Sequence, residues 1–575
     1  MNSIKDIPLN RKLLFVLVFF CLICYFPAFN ASYLYFDEYI SVLQNPQIQA
    51  PLTFEALKQI FTTFTENQYT PLSIFSFWIE FNLFGYNSQI AHIINFLIHL
   101  AGVFALYYFI LELLENTAAA FFIATIWAIH PLQVESVAWV LGRRTILYGS
   151  LFIASLAFYT KYLNTKSNTY KTLAIITMIL SGLSKTLAFT APIAWLGIDW
   201  IKGRTFSFRL ITEKIAGLFF AIILASVMLI AANDGITNSE DKPLNIKDAL
   251  FSMGYYPVLT ICPHKLSGTN EINPATQHIL DSGPVLFSIF LVLSLMIGVK
   301  SKIAVFGLLF YLLHILPMSG LVRVGYPFYV SYHFCYVAQT GLFLIIAGLL
   351  RDIVYKRFCN KTLRKSLATV CIIYLIFLGW QTIDFCIVWQ NTENLFSNSL
   401  KLDPVNRFAR NMLTKYCIAI GDYAKAEIHC NELLRQHPDF FGGYYHKSAI
   451  MMKNHKFTEA CKLLDKAIEL DGYRVDVTYS RGFCRFLLKD WKGTEEDFSI
   501  LLEKDPEYIE PLHYRAIARS ELGKYNEADM DYKKLCRLVP DNLQYKQNWL
   551  KNSLKSLNLR QSLLIIFDIV GQLSN

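Results

Sequence analysis

Residues 423–456, YAKAEIHCNELLRQHPDFFGGYYHKSAIMMKNHK, and residues 457–490, FTEACKLLDKAIELDGYRVDVTYSRGFCRFLLKD, are two successive registers of one pattern. Tyr423, Phe457, Trp491 and Tyr525 recur at a fixed interval of about 34 residues. Ala426, Ala460, Thr494 and Ala528 keep the same interval, and so do Pro404, Pro438, Gly472, Pro506 and Pro540. A period of this length implies stacked helix pairs. The small residue lets the two helices approach, the aromatic packs between them, and Pro or Gly ends the second helix. Four such pairs, over 404–542, make a short superhelix with a concave face. Residues 543–575 are expected to cap it.

The period and its residues are those of tetratricopeptide repeats, and the concave face of such an array is expected to engage polypeptide. The rest of the chain differs in composition. Of 575 residues, 54% are hydrophobic and 17% are charged, with 45 Phe and 32 Tyr, whereas a soluble chain carries about 25% charge. The net charge of +9 does not point to nucleic acid, because the basic residues before the repeats sit in short segments between apolar runs. Of the twelve Cys, Cys21 and Cys24 lie in the first apolar run, and none shows a Cys/His metal-ligand spacing. They behave as small hydrophobes and odd residues rather than as a disulfide framework.

Apolar runs recur from the N-terminus to about residue 388, and a span needs about 20 apolar residues. Spans are expected near 12–29, 91–111, 118–136, 145–160, 171–185, 187–201, 214–232, 284–299, 303–317, 331–350 and 366–387. The fold class is therefore all-α: a polytopic membrane helix bundle of about eleven spans over 1–388, a linker over 389–403, then the α-solenoid. Basic clusters such as Lys5/Arg11/Lys12, Lys202/Arg204/Arg209/Lys214 and Arg351/Lys356/Arg357 mark the inner side. That places the repeats and two long loops, 30–90 and 233–283, on the outer side. Residues 51–81 read as amphipathic helices lying on the membrane.

Several ionisable residues cluster on this outer side. Asp37-Glu38 follows the first span in an aromatic setting, where a carboxylate can take a proton from a hydroxyl. His130 and Glu135 lie near the end of the third span, and Arg143-Arg144 breaks the positive-inside pattern. Arginine suits bidentate phosphate binding; Lys185 offers another cation, Arg323 a further one before Tyr326 and Tyr329, and His333 and Tyr336 open the tenth span. A base beside several cations suits transfer from a lipid-linked phosphate donor to a hydroxyl. The sequence contains no phosphate-binding P-loop, dinucleotide fingerprint or zinc motif.

These residues resemble the transmembrane and tetratricopeptide-repeat group of protein O-mannosyltransferases, of the GT-C class of multispan glycosyltransferases, together with similar bacterial proteins. The resemblance rests on Phe36-Asp37-Glu38-Tyr39, Ala91-His92-Ile93-Ile94-Asn95 with His99, His130-Pro131 through Glu135 and Trp139 to Gly142-Arg143, and Leu183-Ser184-Lys185 with Asp199. It implies a polyprenyl- or dolichyl-phosphate sugar as donor and Ser/Thr hydroxyls of exported proteins as acceptors. The sugar would be mannose or a similar hexose. The resemblance also implies Asp37 as the catalytic candidate, with Glu38 beside it, and Arg143, Arg144 and Lys185 on the donor phosphate. His130, Glu135, His333 and Tyr336 would support the site, with no cofactor and no required metal. The expected location is a bacterial inner membrane with periplasmic repeats, or an endoplasmic reticulum membrane with lumenal ones. Thr145, Thr186 and His333 depart from the family pattern, which has two acidic residues and an Arg there. A non-catalytic adaptor and a ligase of lipid-linked glycans remain alternatives.

Overall fold

The computed structural model describes residues 11–65, 68–236, 246–270, 277–319, 330–351 and 361–573. Lys5, Arg323, Tyr326, Tyr329, Lys356, Arg357 and parts of the 233–283 loop lie outside the described residues. Among the described residues the chain is helical, and the one β-type pairing is an isolated bridge between Thr65 and Gln68. It divides into two compact units, one ending at Asn406 and one beginning at Arg407.

The first unit is a bundle of apolar helices. Five are long and apolar enough to cross a membrane: Arg11–Asn30, Ser88–Leu114, Val140–Thr165, Tyr332–Leu349 and Ala368–Val388. A sixth candidate, Thr117–Ala128 with Pro131–Ala138, is bent by 54°. The bend follows from Pro131, which disfavours helical backbone at the residue before it; His130 is accordingly extended, with ψ at 131°. Four apolar helices are shorter: Thr186–Ile201, Ile215–Val227, Gly283–Gly298 and Lys302–Met318. Large apolar side chains such as Phe15, Ile222, Leu293 and Ile376 face outward on this unit, as a lipid-facing surface requires. Lys302–Ile315 and Cys335–Leu349 meet at two glycines. A Cβ on Gly307 would lie 2.5 Å from the Gly341 carbonyl oxygen, and one on Gly341 equally close to that of Gly307. Small residues at such crossings let membrane helices touch along their backbones.

Residues 389–403, expected as a linker, instead contain the helix Thr392–Leu402, which is packed into the first unit. Its sequence explains this, because Leu395, Phe396 and Ser399 share one buried face. Asn398 donates to the Leu266 carbonyl and Ser267 to the Ser399 hydroxyl.

The second unit keeps the sequence period. First helices begin at Arg407, Phe441, Val475, Ile509 and Leu543, and second helices at Tyr423, Phe457, Trp491, Tyr525 and Leu559. Residues 543–573 thus form a fifth pair in the same register. Ala426, Ala460, Thr494 and Ala528 are fully buried where the paired helices meet. Asp422, Asp490 and Asn542 cap helix N-termini through their side chains. Gly421 and Gly523 take the left-handed conformation that turns one helix into the next.

Candidate functional site

The site begins at the loop after the first helix. Glu38 is wholly buried, and its carboxylate accepts from the backbone N–H groups of Leu34 (2.6 Å) and Val140 (2.7 Å). It therefore staples the Asp37 loop to the turn at 139–142. Burial pushes the Glu38 carboxyl up to about 8, with the backbone N–H groups of Leu34, Val140 and Leu141 opposing the shift and the Asp37 charge adding to it. Phe36 stacks on Trp139 with centroids 6.4 Å apart. The same loop is held from the other side by Tyr35, whose N–H donates to the Thr392 hydroxyl, and by Phe36 edge-on to Phe396. Asp37, half-buried, is thus fixed by both of its neighbours.

Trp139 leads to the second element, with its ring 5.9 Å from that of His333. Glu135 is the hub there. It accepts from the Ser331 hydroxyl (2.7 Å) and the Tyr332 N–H (2.8 Å), and its Oε1 lies 2.5 Å from His333 Nδ1. Lys185 lies 5.5 Å from the Phe334 ring centre, and both Lys185 and Arg144 act electrostatically on His333. Arg144 also donates to Gln68 at 3.3 Å. The loop that carries Asp37 and Glu38 thus meets the turn at Trp139, whose ring lies beside His333, the partner of Glu135.

Four of the expected site residues have partners within the protein. Arg143 is fully buried and its guanidinium is engaged. Nη1 lies 2.6 Å from Glu80 Oε2, Nε donates to Asn95 Oδ1 at 2.7 Å, Nη2 donates to the Ala91 carbonyl at 3.0 Å, and the group sits 4.0 Å above Phe77. His130 is buried, with both ring nitrogens engaged by backbone groups. Its Nδ1 caps the Leu132 N–H, so its Nε2 is the nitrogen that donates to the Thr260 carbonyl at 3.0 Å. Tyr336 is buried with its hydroxyl 2.8 Å from His99 Nδ1. Glu38, next to Asp37, has both oxygens engaged by backbone N–H groups.

Sequence reasoning missed Glu80 and Ser331. Glu80 had a signal, since it is the one acidic residue in the apolar helix Pro71–Phe84, and a lone charge there calls for a partner. Ser331 had none. Among the described residues no three His, Cys, Asp or Glu side chains gather as a metal site. In the repeat unit, Tyr445, Tyr473, Tyr479 and Tyr508 line a cavity of about 790 Å³ together with Asp476 and Lys504.

Long apolar helices followed by a 34-residue helical repeat define a multi-pass membrane protein with a tetratricopeptide array. No family model matches the chain. It is similar to proteins named O-mannosyl-transferases. One from Caenorhabditis elegans is 22% identical, aligned over 68% of this chain and 58% of its own length. The TMTC3 protein of Mus musculus is 21% identical over 70% and 48% respectively, and TMTC4 of Homo sapiens 21% over 67% and 61%. The chain thus spans about half the length of the curated relatives it matches. Among solved structures it is similar to YrrB, a TPR protein with an unusual peptide-binding site. That likeness has 13% identity and a TM-score of 0.30, covering 31% of this chain and 91% of that one.

Proposed function

We propose that the chain is a GT-C-type glycosyltransferase that moves a hexose, mannose or one like it, from a polyprenyl- or dolichyl-phosphate donor to Ser/Thr hydroxyls of exported proteins. The acceptor hydroxyl oxygen attacks the anomeric carbon and its proton passes to the Asp37 carboxylate. The bond from that carbon to the phosphate oxygen breaks, and the leaving phosphate keeps the electron pair. Arg144 and Lys185 neutralise its charge, while Glu135 and Ser331 hold His333 in place. Glu38 and Trp139 set the Asp37 loop. In this reading the first unit carries out transfer on the outer side of the membrane, bacterial periplasm or reticulum lumen. The repeats engage the acceptor on that same side, and the tyrosine-lined cavity supports this role.

The observation that carries the proposal is the run of contacts from the Asp37 loop, through Phe36 on Trp139, to His333, on which Lys185 and Arg144 act, in a chain similar to O-mannosyl-transferases. The test is Asp37→Asn in the full chain, assayed for sugar transfer from a lipid-linked donor. Transfer should fall by about 10²-fold or more at an unchanged melting temperature. Normal transfer by this variant removes Asp37 from the chemistry, and glycoproteomics of exported proteins with and without the gene identifies the sugar.

A further inference from the structure

Cys461 and Cys484 meet where the second helix pair of the repeats adjoins the third. Three junctions between successive pairs share one crossing: Asn431 with Lys447, Asp465 with Arg481, and Ser499 with Arg515. One turn back along the second helix and one turn on along the next first helix, Glu495 meets Arg519 at 3.0 Å. The equivalent residues one period earlier are Cys461 and Arg485, and Cys484 stands beside Arg485. The two thiols are in hydrogen-bond contact, Cys484 donating to Cys461. Cys484 is wholly buried in a core against which Cys461 packs from a partly exposed position.

The equivalent pairs at the other junctions are Glu427 with Ile450, Glu495 with Ala518 and Asp529 with Asn552. The repeat architecture therefore does not account for two facing cysteines here. Thiols already in contact need only a small approach to reach an S–S bond of about 2.0 Å. Buried Cys430, by contrast, donates to the Gly443 carbonyl at 3.3 Å.

We propose that Cys461 and Cys484 form a disulfide that staples the second helix pair to the third, made by exchange with an external disulfide. The Cys461 thiolate attacks one sulfur of that disulfide and expels a first thiolate. Cys484, giving up its proton, then attacks Cys461 Sγ and expels the second. Two thiols are oxidised, the external disulfide is reduced by two electrons, and both protons pass to the departing thiolates. The hydrogen bond from Cys484 holds the Cys461 thiol below its ordinary value, with burial opposing the shift and the Arg485 charge adding to it. The partly exposed sulfur thus attacks and the buried one resolves. Helix Val475–Leu487 also carries Asp476, Tyr479 and Ser480 into the lining of the tyrosine cavity, which Tyr445 lines from the second pair. The staple joins the two pairs that share this cavity. The inference does not depend on the sugar-transfer reading.

The test incubates the full chain in detergent with oxidised glutathione, alkylates free thiols in denaturant, and reads unreduced tryptic peptides by mass spectrometry. Peptides linked through Cys461 and Cys484 should appear, and dithiothreitol should release both. Hydrogen exchange of Val475–Leu487 should slow by about tenfold or more in the linked form, and Cys461→Ser should abolish that slowing. Glutathione retained on Cys461 with Cys484 alkylated, both thiols still free, or either sulfur linked to another cysteine overturns the proposal. So does a link that leaves exchange unchanged.

Discussion

Arg143 in the membrane unit and Arg481 in the repeat unit are both buried arginines held by carboxylates, yet they were not equally legible. Arg481 lies between Asp497 of its own helix pair, at 2.5 Å, and Asp465 of the preceding pair, at 2.8 Å. One period later Arg515 bridges Asp531 and Ser499 in the same way. Repetition exposes these contacts as architecture. Arg143 occurs once, in a motif that also suits phosphate binding, and its partner Glu80 comes from a separate helix. A single conspicuous arginine reads as a ligand group until its carboxylate is found.

The largest expected effect tests that contrast. Arg143→Ala leaves Glu80 buried and uncompensated, which should cost about 3–5 kcal/mol and bring down the melting temperature of the full chain in detergent. The double variant Arg143→Met with Glu80→Gln should recover most of the loss. If Arg143 instead binds donor, the single variant will keep its melting temperature and lose only transfer. In the repeats, Arg481→Ala strands the fully buried Asp497, but the Asp465 end is half exposed and Arg485 also reaches Asp497 at 3.1 Å. A smaller cost of about 2 kcal/mol is expected. Hydrogen exchange should localise it to Val475–Leu487 and Trp491–Lys504.

Periodicity explains how much could be read in advance. Pro404 to Pro540 and Tyr423 to Tyr525 placed the helix pairs because each unit meets the same neighbours. Long apolar runs marked the apolar helices because hydrocarbon tolerates little else, though among the described residues five are long enough to span, or six with the bent pair, against about eleven expected. The site was legible only in outline. Asp37, Glu135, Lys185 and His333 were picked by residue type, but the choice between Arg143 and Arg144 turned on which guanidinium met Glu80, a contact set by tertiary packing. The roles of Glu38 and His130 likewise depended on which backbone groups they faced. Residues 389–403 read as a linker from sequence, whereas Gly268 and Leu266 supply the surface that the helix Thr392–Leu402 packs on.

The next expected effect sharpens the distinction between the adjacent arginines. Arg144→Ala should cost much less stability than Arg143→Ala, since the side chain is partly exposed. It should weaken binding of a polyprenyl phosphate by about tenfold, the loss of one charge-assisted contact. Binding measured by fluorescence quenching of reconstituted protein decides this. An unaffected affinity would leave Lys185 as the phosphate cation and reduce Arg144 to its contact with Gln68.

The smallest effect concerns Glu38, a carboxyl locked without a cation, in contrast to Glu80. Its carboxyl moves from 4.5 to about 8 on folding, chiefly by burial. The native state therefore favours the neutral form more than the unfolded chain does. The stability this contributes is complete below pH 4.5 and is lost as pH rises through about 8. The Leu34 and Val140 N–H groups hold the anion in place, so the loss should loosen the Asp37 loop rather than unfold the unit. A decline of about 2–4 °C in melting temperature between pH 5 and pH 8.5 is expected, and Glu38→Gln should flatten it. An equal slope in wild type and variant would mean that Glu38 stays ionised across this range, held by its two N–H donors alone.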